Sequence, residues 1–287
     1  MTVSQQHTSH SLAWGRLWPW FLLLLLLGAA NAPVLIGLFD TWRISYSETG
    51  HGFIAAPLAV YTAWLKKDEL LALPRNGSPR GMILVSVSVL LVTFAQIAQW
   101  IFFSQLGTWL SLIGIVWYLL GWPWIKSLTF PLFLLFLTIP PPSFLYTRIT
   151  FELQLLASRL AEFGLSSLGY SVLREGNILR MVGGDLSVAE ACSGIRSLIT
   201  LLFFVTVYGY FVVETVRRRW ALVLAAVPLA VLANGIRIVA TGIMAQYDRS
   251  LAEGFTHELS GYVTLFATGL LCVMAEQSWP RGRQAAA

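Results

Sequence analysis

Long apolar runs separated by short polar connectors dominate the pattern of this chain. Several runs reach the roughly 20 residues that a helix needs to cross the hydrocarbon core of a bilayer. We interpret eight of them as membrane-spanning helices, with a tight turn at residues 104–107 between the third and the fourth. They cover residues 17–39, 53–65, 82–103, 108–122, 128–139, 192–216, 220–244 and 257–275. The predicted fold class is an all-α integral membrane protein.

The segment between the fifth and sixth runs has a different pattern. From Tyr146 to Gly169 apolar residues recur at helical spacing, and the charged residues occupy other faces. This predicts an amphipathic helix on the extracytoplasmic membrane surface. Its apolar stripe would consist of Ile149, Leu153, Leu156, Leu160 and Phe163. Residues 171–189 form short extended pieces broken at 175–177 and 183–184, which favours a small β-hairpin cap.

Both ends of the chain are more polar than its middle. We interpret them as cytoplasmic tails, the first of them disordered, at residues 1–15 and 278–287. The first apolar run mimics a signal peptide, because residues 30–32 look like a cleavage site after an apolar core. A retained helix is favoured, since a proline would follow that cut and the run continues beyond it. The predicted transmembrane domain covers residues 16–277, with an extracytoplasmic insertion at residues 146–191.

Composition supports a polytopic membrane protein. Apolar residues make up 56% of the chain and charged residues 11%, whereas globular proteins have roughly a quarter charged residues. The basic residues lie mostly beside apolar runs, which is typical of orientation signals and argues against a nucleic-acid partner. With the N-terminus in the cytoplasm, one orientation places every basic cluster inside. These clusters contain Lys66, Lys67, Arg75, Arg80, Lys126, Arg217, Arg218, Arg219, Arg281 and Arg283.

Three reactive side chains are then expected at the same outer interface. Cys192 opens the sixth span, where the partial positive charge of a helix N-terminus favours the thiolate. Arg237 lies toward the outer end of the seventh span, and its charge is expected to face the bundle interior or a wet cavity. His257 opens the eighth span. A cysteine can attack an acyl carbon, an imidazole can hold or return the proton, and a guanidinium can stabilise an oxyanion.

Four further residues are candidates for supporting roles: Arg196, Asn234, Glu190 and His51. Arg196 would share the helix face of Cys192, because residues four apart on a helix are neighbours. Asn234 would share the face of Arg237, because residues three apart on a helix are neighbours as well. Glu190 belongs to the polar approach that precedes the cysteine. His51 could act as the base in place of His257, bind substrate, or cap its own turn.

Each reactive residue also has a structural interpretation. A cysteine in an apolar protein is usually a small hydrophobe, although the polar approach at 190–194 argues against this for Cys192. Arg237 could be an ion-pair member or a snorkelling anchor, and His257 a loop residue without a role. Cys272 would lie roughly 22 Å along its helix from His257, so a disulfide with Cys192 is not expected. No cluster has ligand spacing, so neither a metal nor another cofactor is predicted.

Three motifs resemble those of the exosortase/archaeosortase family: EACSGIR at 190–196, NGIR at 234–237 and HELSG at 257–261. The similarity extends over residues 46–64 and 140–188, and so over nearly the whole chain beyond the N-terminal tail. The family's cysteine, arginine and histidine correspond to Cys192, Arg237 and His257. A histidine at the third position is typical of bacterial exosortases. The soluble domain that is fused to some members is not expected here.

The resemblance implies a cysteine protease or transpeptidase of the bacterial inner membrane, with its active site facing the periplasm. Its partners would be the lipid bilayer and membrane-anchored proteins with C-terminal sorting tails of the PEP-CTERM type. Cys192 would form a thioacyl intermediate that passes to an acceptor amine or to water, and the acceptor is left open. Two alternatives stay open: a non-catalytic component of exopolysaccharide export or assembly, and a cysteine acyltransferase that acts on another substrate.

Overall fold

A computed structural model describes residues 28–29, 31–43, 50–188, 192–248 and 254–279, and for residues 254–258 it describes the backbone alone. Within these ranges most residues are helical, and three short strands form one small sheet. The residues group into two compact units. The first lies within residues 1–45 and 53–139, and the second within residues 46–52 and 140–287. The predicted terminal tail at residues 1–15 and most of the first predicted span lie outside the described residues.

The first unit consists of helices of very unequal length. In chain order they are α1 (Ala32–Arg43), α2 (Gly52–Leu65, of which Gly52 belongs to the second unit), α3 (Lys67–Ala72), α4 (Pro79–Ile97), α5 (Ile101–Leu120), α6 (Trp122–Ser127) and α7 (Thr129–Leu137). The last helix ends shortly before three consecutive prolines, which cannot continue a helix. Lys66 donates a hydrogen bond to the Ser127 carbonyl at 2.9 Å, which ties the end of α2 to α6.

Helices α4 and α5 form a closely packed antiparallel pair. A Cβ on Gly107 would lie only 2.7 Å from Cγ2 of Val92, so the missing side chain lets the two backbones approach each other. The prediction of a turn at residues 104–107 is wrong, because these residues lie inside α5. The chain reverses at residues 98–100 instead, where Gln99 adopts a φ of 57°. The small residues of α5 serve helix–helix packing rather than a turn.

The second unit combines one helix, a small sheet and three further helices. Its elements are α8 (Ser143–Ser167), β1 (Val172–Glu175), β2 (Ile178–Met181), β3 (Leu186–Ser187), α9 (Ile195–Val212), α10 (Val216–Tyr247) and α11 (Gly254–Gln277). The strands form an antiparallel sheet in the order β1-β2-β3. Gly176 has a φ of 66° in the turn between β1 and β2, a conformation that glycine adopts without steric cost. The predicted β-hairpin is confirmed.

Helix α8 packs in the second unit through two alanines and a leucine. Ala157, Ala161 and Leu165 are almost fully buried and belong to one apolar cluster with Ile238 of α10. The predicted apolar stripe is packed only in part, since Leu160 packs on Gly235 of α10 while Phe163 is 75% exposed. The helix at residues 146–169 is confirmed, while its position on the membrane surface stays a prediction. An exposed apolar face of this kind is compatible with contact to lipid.

Five of the described helices are long and apolar enough to cross a membrane: α4, α5, α9, α10 and the part of α11 from Leu259 to Gln277. The predicted count of eight spans is not confirmed. Helix α2 has 14 residues and covers about 21 Å, which is less than the roughly 30 Å of bilayer hydrocarbon. Helix α7 is shorter still, with 9 residues. The sixth, seventh and eighth predicted spans each correspond to one of the long helices of the second unit.

Candidate active site

Cys192 lies in a turn that precedes α9 and does not belong to the helix. Helix α9 begins at Ile195, and its N-cap is Gly194 with a φ of 81°. The prediction that Cys192 opens the sixth span is therefore wrong, because a left-handed residue interrupts the chain between the cysteine and the helix. The helix face predicted to be shared by Cys192 and Arg196 is lost for the same reason. The cysteine still lies beside the N-terminus of an 18-residue helix, where the helix dipole favours a thiolate.

Two buried side chains hold the turn that carries Cys192. The hydroxyl of Ser193 accepts a hydrogen bond from the backbone N–H of Ile195 at 3.3 Å, which satisfies one open donor at the helix start. The side-chain amide of Asn234, on α10, donates to the carbonyl oxygen of Cys192 at 2.9 Å. Ser193 and Asn234 are both buried. The turn is therefore fastened both to its own helix and to α10.

Arg237 lies on α10 next to this turn and links α10 to α11. It is 8% exposed, and its Nε donates to the hydroxyl of Ser260 at 3.2 Å. Its guanidinium packs on Gly261, where a Cβ would lie 3.6 Å from Cζ. Arg237 also interacts electrostatically with Cys192 and with Arg196. The prediction that Arg237 is buried inside the protein is confirmed, and the starts of α9 and α11 both approach it.

His257 is placed by the backbone of α11. Positions 257, 260 and 261 are three and four residues apart and therefore share one helix face. Position 257 thus lies one turn before the two residues that Arg237 contacts. The side chain of His257 and the whole of Glu190 lie outside the described residues. Helix spacing thus brings position 257 near the residues that Arg237 contacts, whereas Cys192 and Arg237 are linked by an electrostatic interaction.

One side of the Cys192 turn is apolar. Cys192 is half-buried and packs against a buried cluster that α8, the sheet and α10 build together. The cluster consists of Ala157, Ala161, Leu165, Leu179, Met181, Val188 and Ile238. An apolar wall beside a buried guanidinium lowers the local dielectric, so charge interactions are stronger there than in water. Within the described ranges, no group of three His, Cys, Asp or Glu residues could hold a metal ion.

The sequence profile of the transmembrane exosortase family matches residues 42–275, which is most of the chain and includes every candidate residue named above. The chain belongs to the transmembrane exosortase family. No curated protein and no solved structure matches it. Family membership implies a multi-pass membrane protein of a cysteine transpeptidase-like enzyme group that acts on sorting-signal substrates.

His51 of this exosortase lies in the second unit and packs against α9. It is buried, and its ring packs against Phe203 with the ring centroids 5.0 Å apart. Phe203 follows the first residue of α9 by about 12 Å along the helix axis. The structure therefore places His51 against Phe203, about two helical turns after the start of α9.

Sequence reasoning assigned no role to Ser260 or Gly194 of this exosortase. Ser260 accepts the hydrogen bond of Arg237. The sequence indicates its place near the site, because Ser260 is three residues from His257 and shares its helix face. Gly194 supplies the left-handed residue of the turn, and a glycine at a predicted helix start is a candidate for positive φ. The hydrogen bond from Asn234 to Cys192 could not be predicted from the sequence, since 42 residues separate the two positions.

Proposed function

We propose that this exosortase is a membrane-embedded cysteine peptidase or transpeptidase that cleaves C-terminal sorting signals of the PEP-CTERM type. The supporting observation is the meeting of three segments: Asn234 of α10 binds the Cys192 turn, and Arg237 of α10 binds Ser260 near the start of α11. Cleavage of a peptide bond by a thiol needs a nucleophile, a fixed positive charge and a proton donor at one place. Membership of the exosortase family supports the same class of reaction.

The proposed reaction has two steps. The thiolate of Cys192 attacks the carbonyl carbon of the scissile peptide bond, and Arg237 stabilises the oxyanion that forms. The C–N bond then breaks, His257 gives a proton to the leaving amine, and a thioester remains on Cys192. An acceptor amine or water next attacks the thioester carbonyl while His257 takes up a proton. The thiolate of Cys192 leaves, and both side chains return to their starting states.

The site is proposed to face the periplasm from the bacterial inner membrane. Arg217, Arg218 and Arg219 lie at the N-terminal end of α10, and Arg237 lies about 28 Å farther along the helix axis. The positive-inside rule assigns such a basic cluster to the cytoplasm, so Arg237 belongs to the opposite side. A substrate that is anchored by its own helix would present its sorting motif at that interface. Confinement to the bilayer then positions the substrate before the reaction.

Processing of a tail-bearing protein encoded in the same genome tests the proposed activity. The substrate is co-expressed with the exosortase, and removal of its tail is followed by mass spectrometry. Cys192→Ala is expected to lower the processing rate at least about 10³-fold, because the nucleophile is lost. Cys272→Ala, the matched control, should keep nearly the parental rate. Parental processing by Cys192→Ala, at an equal level of protein in the membrane, would contradict the proposal.

Thiol labelling in intact spheroplasts tests the proposed orientation. A charged, membrane-impermeant reagent should modify Cys192 from outside, because the thiol is half-buried rather than enclosed. Cys272 should stay unmodified on either side, since it is 1% exposed. Modification of Cys192 in inverted vesicles alone would place the site on the cytoplasmic side and reject this part of the proposal.

A further inference from the structure

We propose that Asn234 is a positioning residue for the nucleophile, which it holds through the carbonyl of Cys192 and through close packing on Gly194. This inference rests on the proposed function, because it concerns the geometry in which Cys192 attacks. Asn234 touches neither the reacting atoms nor, in the proposed mechanism, the substrate. Its role is to fix where the cysteine lies relative to Arg237.

The hydrogen bond from Asn234 is well suited to fix the cysteine. Its Nδ2 lies 2.9 Å from the carbonyl oxygen of Cys192. Asn234 is 4% exposed, so water has little access to compete for that carbonyl. The bound peptide plane contains Cα of Cys192, and holding this plane limits the positions that Sγ can reach. Asn234 thus acts on the nucleophile itself and not on a distant part of the turn.

Gly194 provides the second half of the arrangement. A Cβ on residue 194 would lie 2.7 Å from Cγ and 2.9 Å from Nδ2 of Asn234, closer than real Cβ contacts. Gly194 also has a φ of 81°, where a side chain is strained. The amide of Asn234 is therefore bonded to residue 192 and packed against residue 194 at the same time. The absence of a side chain at residue 194 lets the amide enter the turn.

The location of Asn234 matters for catalysis because Arg237 lies close to it on the same helix. Asn234 and Arg237 are three residues apart on α10, about 4.5 Å along its axis, and both are buried. One rigid helix therefore sets both the location of Cys192 and the location of the guanidinium. Cys192 and Arg237 already interact electrostatically in this arrangement. A displacement of the turn by about 1 Å is enough to lower a rate about 10²-fold.

A double-mutant cycle with Asn234→Ala and Gly194→Ala tests the inference. Each single variant is expected to lower the processing rate about 10²-fold, the first by removing the donor and the second by displacing the amide. The double variant should be less impaired than the product of the two single losses, because the methyl group on residue 194 then meets no asparagine, although its strain at a φ of 81° stays. Thr268→Val is the matched control, since Thr268 is a buried polar residue whose hydroxyl bonds only within its own helix, to Thr264. Its processing rate should stay within about threefold of the parent.

Alkylation of Cys192 by iodoacetamide separates positioning from a merely structural role. Alkylation needs an accessible thiolate but no alignment with a peptide carbonyl, so its rate should change less than about threefold in Asn234→Ala. A local unfolding of the turn would instead change alkylation and processing together. The expected result is therefore a fall in processing at nearly constant alkylation, measured on the fraction of protein that remains folded in detergent.

Several results would overturn the inference. If Asn234→Ala processes the substrate at the parental rate while Cys192→Ala is inactive, Asn234 does not position the nucleophile. The proposed function would stand, because it does not depend on Asn234. Additive losses in the double variant would also overturn the inference. If Asn234→Ala does not accumulate in the membrane, Gly194→Ala decides alone, and parental processing by that variant contradicts the inference. Full processing by Cys192→Ala would instead reject the proposed function itself.

Discussion

The two cysteines of the second unit have the same side chain but contrasting surroundings. Cys272 lies within α11, is 1% exposed and belongs to an apolar cluster with Leu201, Val205 and Leu222. Cys192 is half-buried in the turn before α9 and interacts electrostatically with Arg237. An apolar cluster stabilises a neutral thiol, whereas a helix N-terminus and a guanidinium stabilise a thiolate. The difference shows that two cysteines of one unit can have opposite surroundings, and it is the reason to expect reactivity at Cys192 rather than at Cys272.

The largest predicted effect is the difference in alkylation rate between the thiols of Cys192 and Cys272. In detergent-solubilised protein, a water-soluble maleimide is expected to modify Cys192 about 10⁴-fold faster than Cys272. Cys272 reacts only through an opening of the helices around it, and such an opening costs several kcal/mol. Peptide mapping by mass spectrometry over a time course gives both rates. Comparable rates for the two residues would remove the contrast on which the assignment of the nucleophile depends.

Removal of the charge of Arg237 should diminish the contrast between the cysteines. Arg237→Gln keeps a hydrogen-bonding side chain but loses the positive charge, so processing is expected to fall about 10²-fold. Alkylation of Cys192 at neutral pH should also slow, because the thiolate loses a favourable interaction. Arg217→Gln, at the other end of α10, is the control and should change neither rate. Undiminished processing by Arg237→Gln would show that the guanidinium does not stabilise the reaction.

A polar replacement of Cys272 should have the smallest effect on activity and a visible effect on stability. Cys272→Ser introduces a hydroxyl into an apolar cluster and is expected to cost about 1–2 kcal/mol of unfolding free energy. Processing by the folded fraction should change less than about threefold. Thermal unfolding in detergent, measured together with processing, separates the two effects. A large loss of processing without a loss of stability would give Cys272 a role that its surroundings do not support.

The burial of Arg237 was predictable, because a charged residue within an apolar span is expected to face the protein interior or a wet cavity. The hairpin was predictable as well, since Gly176 lies between two short extended segments. The start of α9 could not be predicted, because hydrophobicity alone does not indicate that Gly194 adopts a left-handed conformation. Cys192 was therefore assigned to the helix, although it lies in the preceding turn.

Helix packing was harder to predict than helix existence. In a membrane protein an apolar side chain can face lipid as well as protein, so an apolar stripe does not identify the packed face. In α8 the packed positions include small residues such as Ala161, while Phe163 is exposed. In α5, Gly107 looked like part of a turn but serves close contact with α4. Both cases concern small residues, whose role depends on a partner that local sequence does not reveal.

In the proposed reaction, Cys192 carries the acyl part of a sorting substrate as a thioester. Purified exosortase would be mixed with a synthetic peptide that contains the sorting motif, quenched with acid at early times, and analysed by intact mass and peptide mapping. The account predicts a hydroxylamine-sensitive adduct on Cys192 with the mass of the peptide segment that precedes the cleavage site, and no such adduct in Cys192→Ala. Cleavage without an adduct on Cys192, or a fatty-acyl mass on that residue, would contradict it.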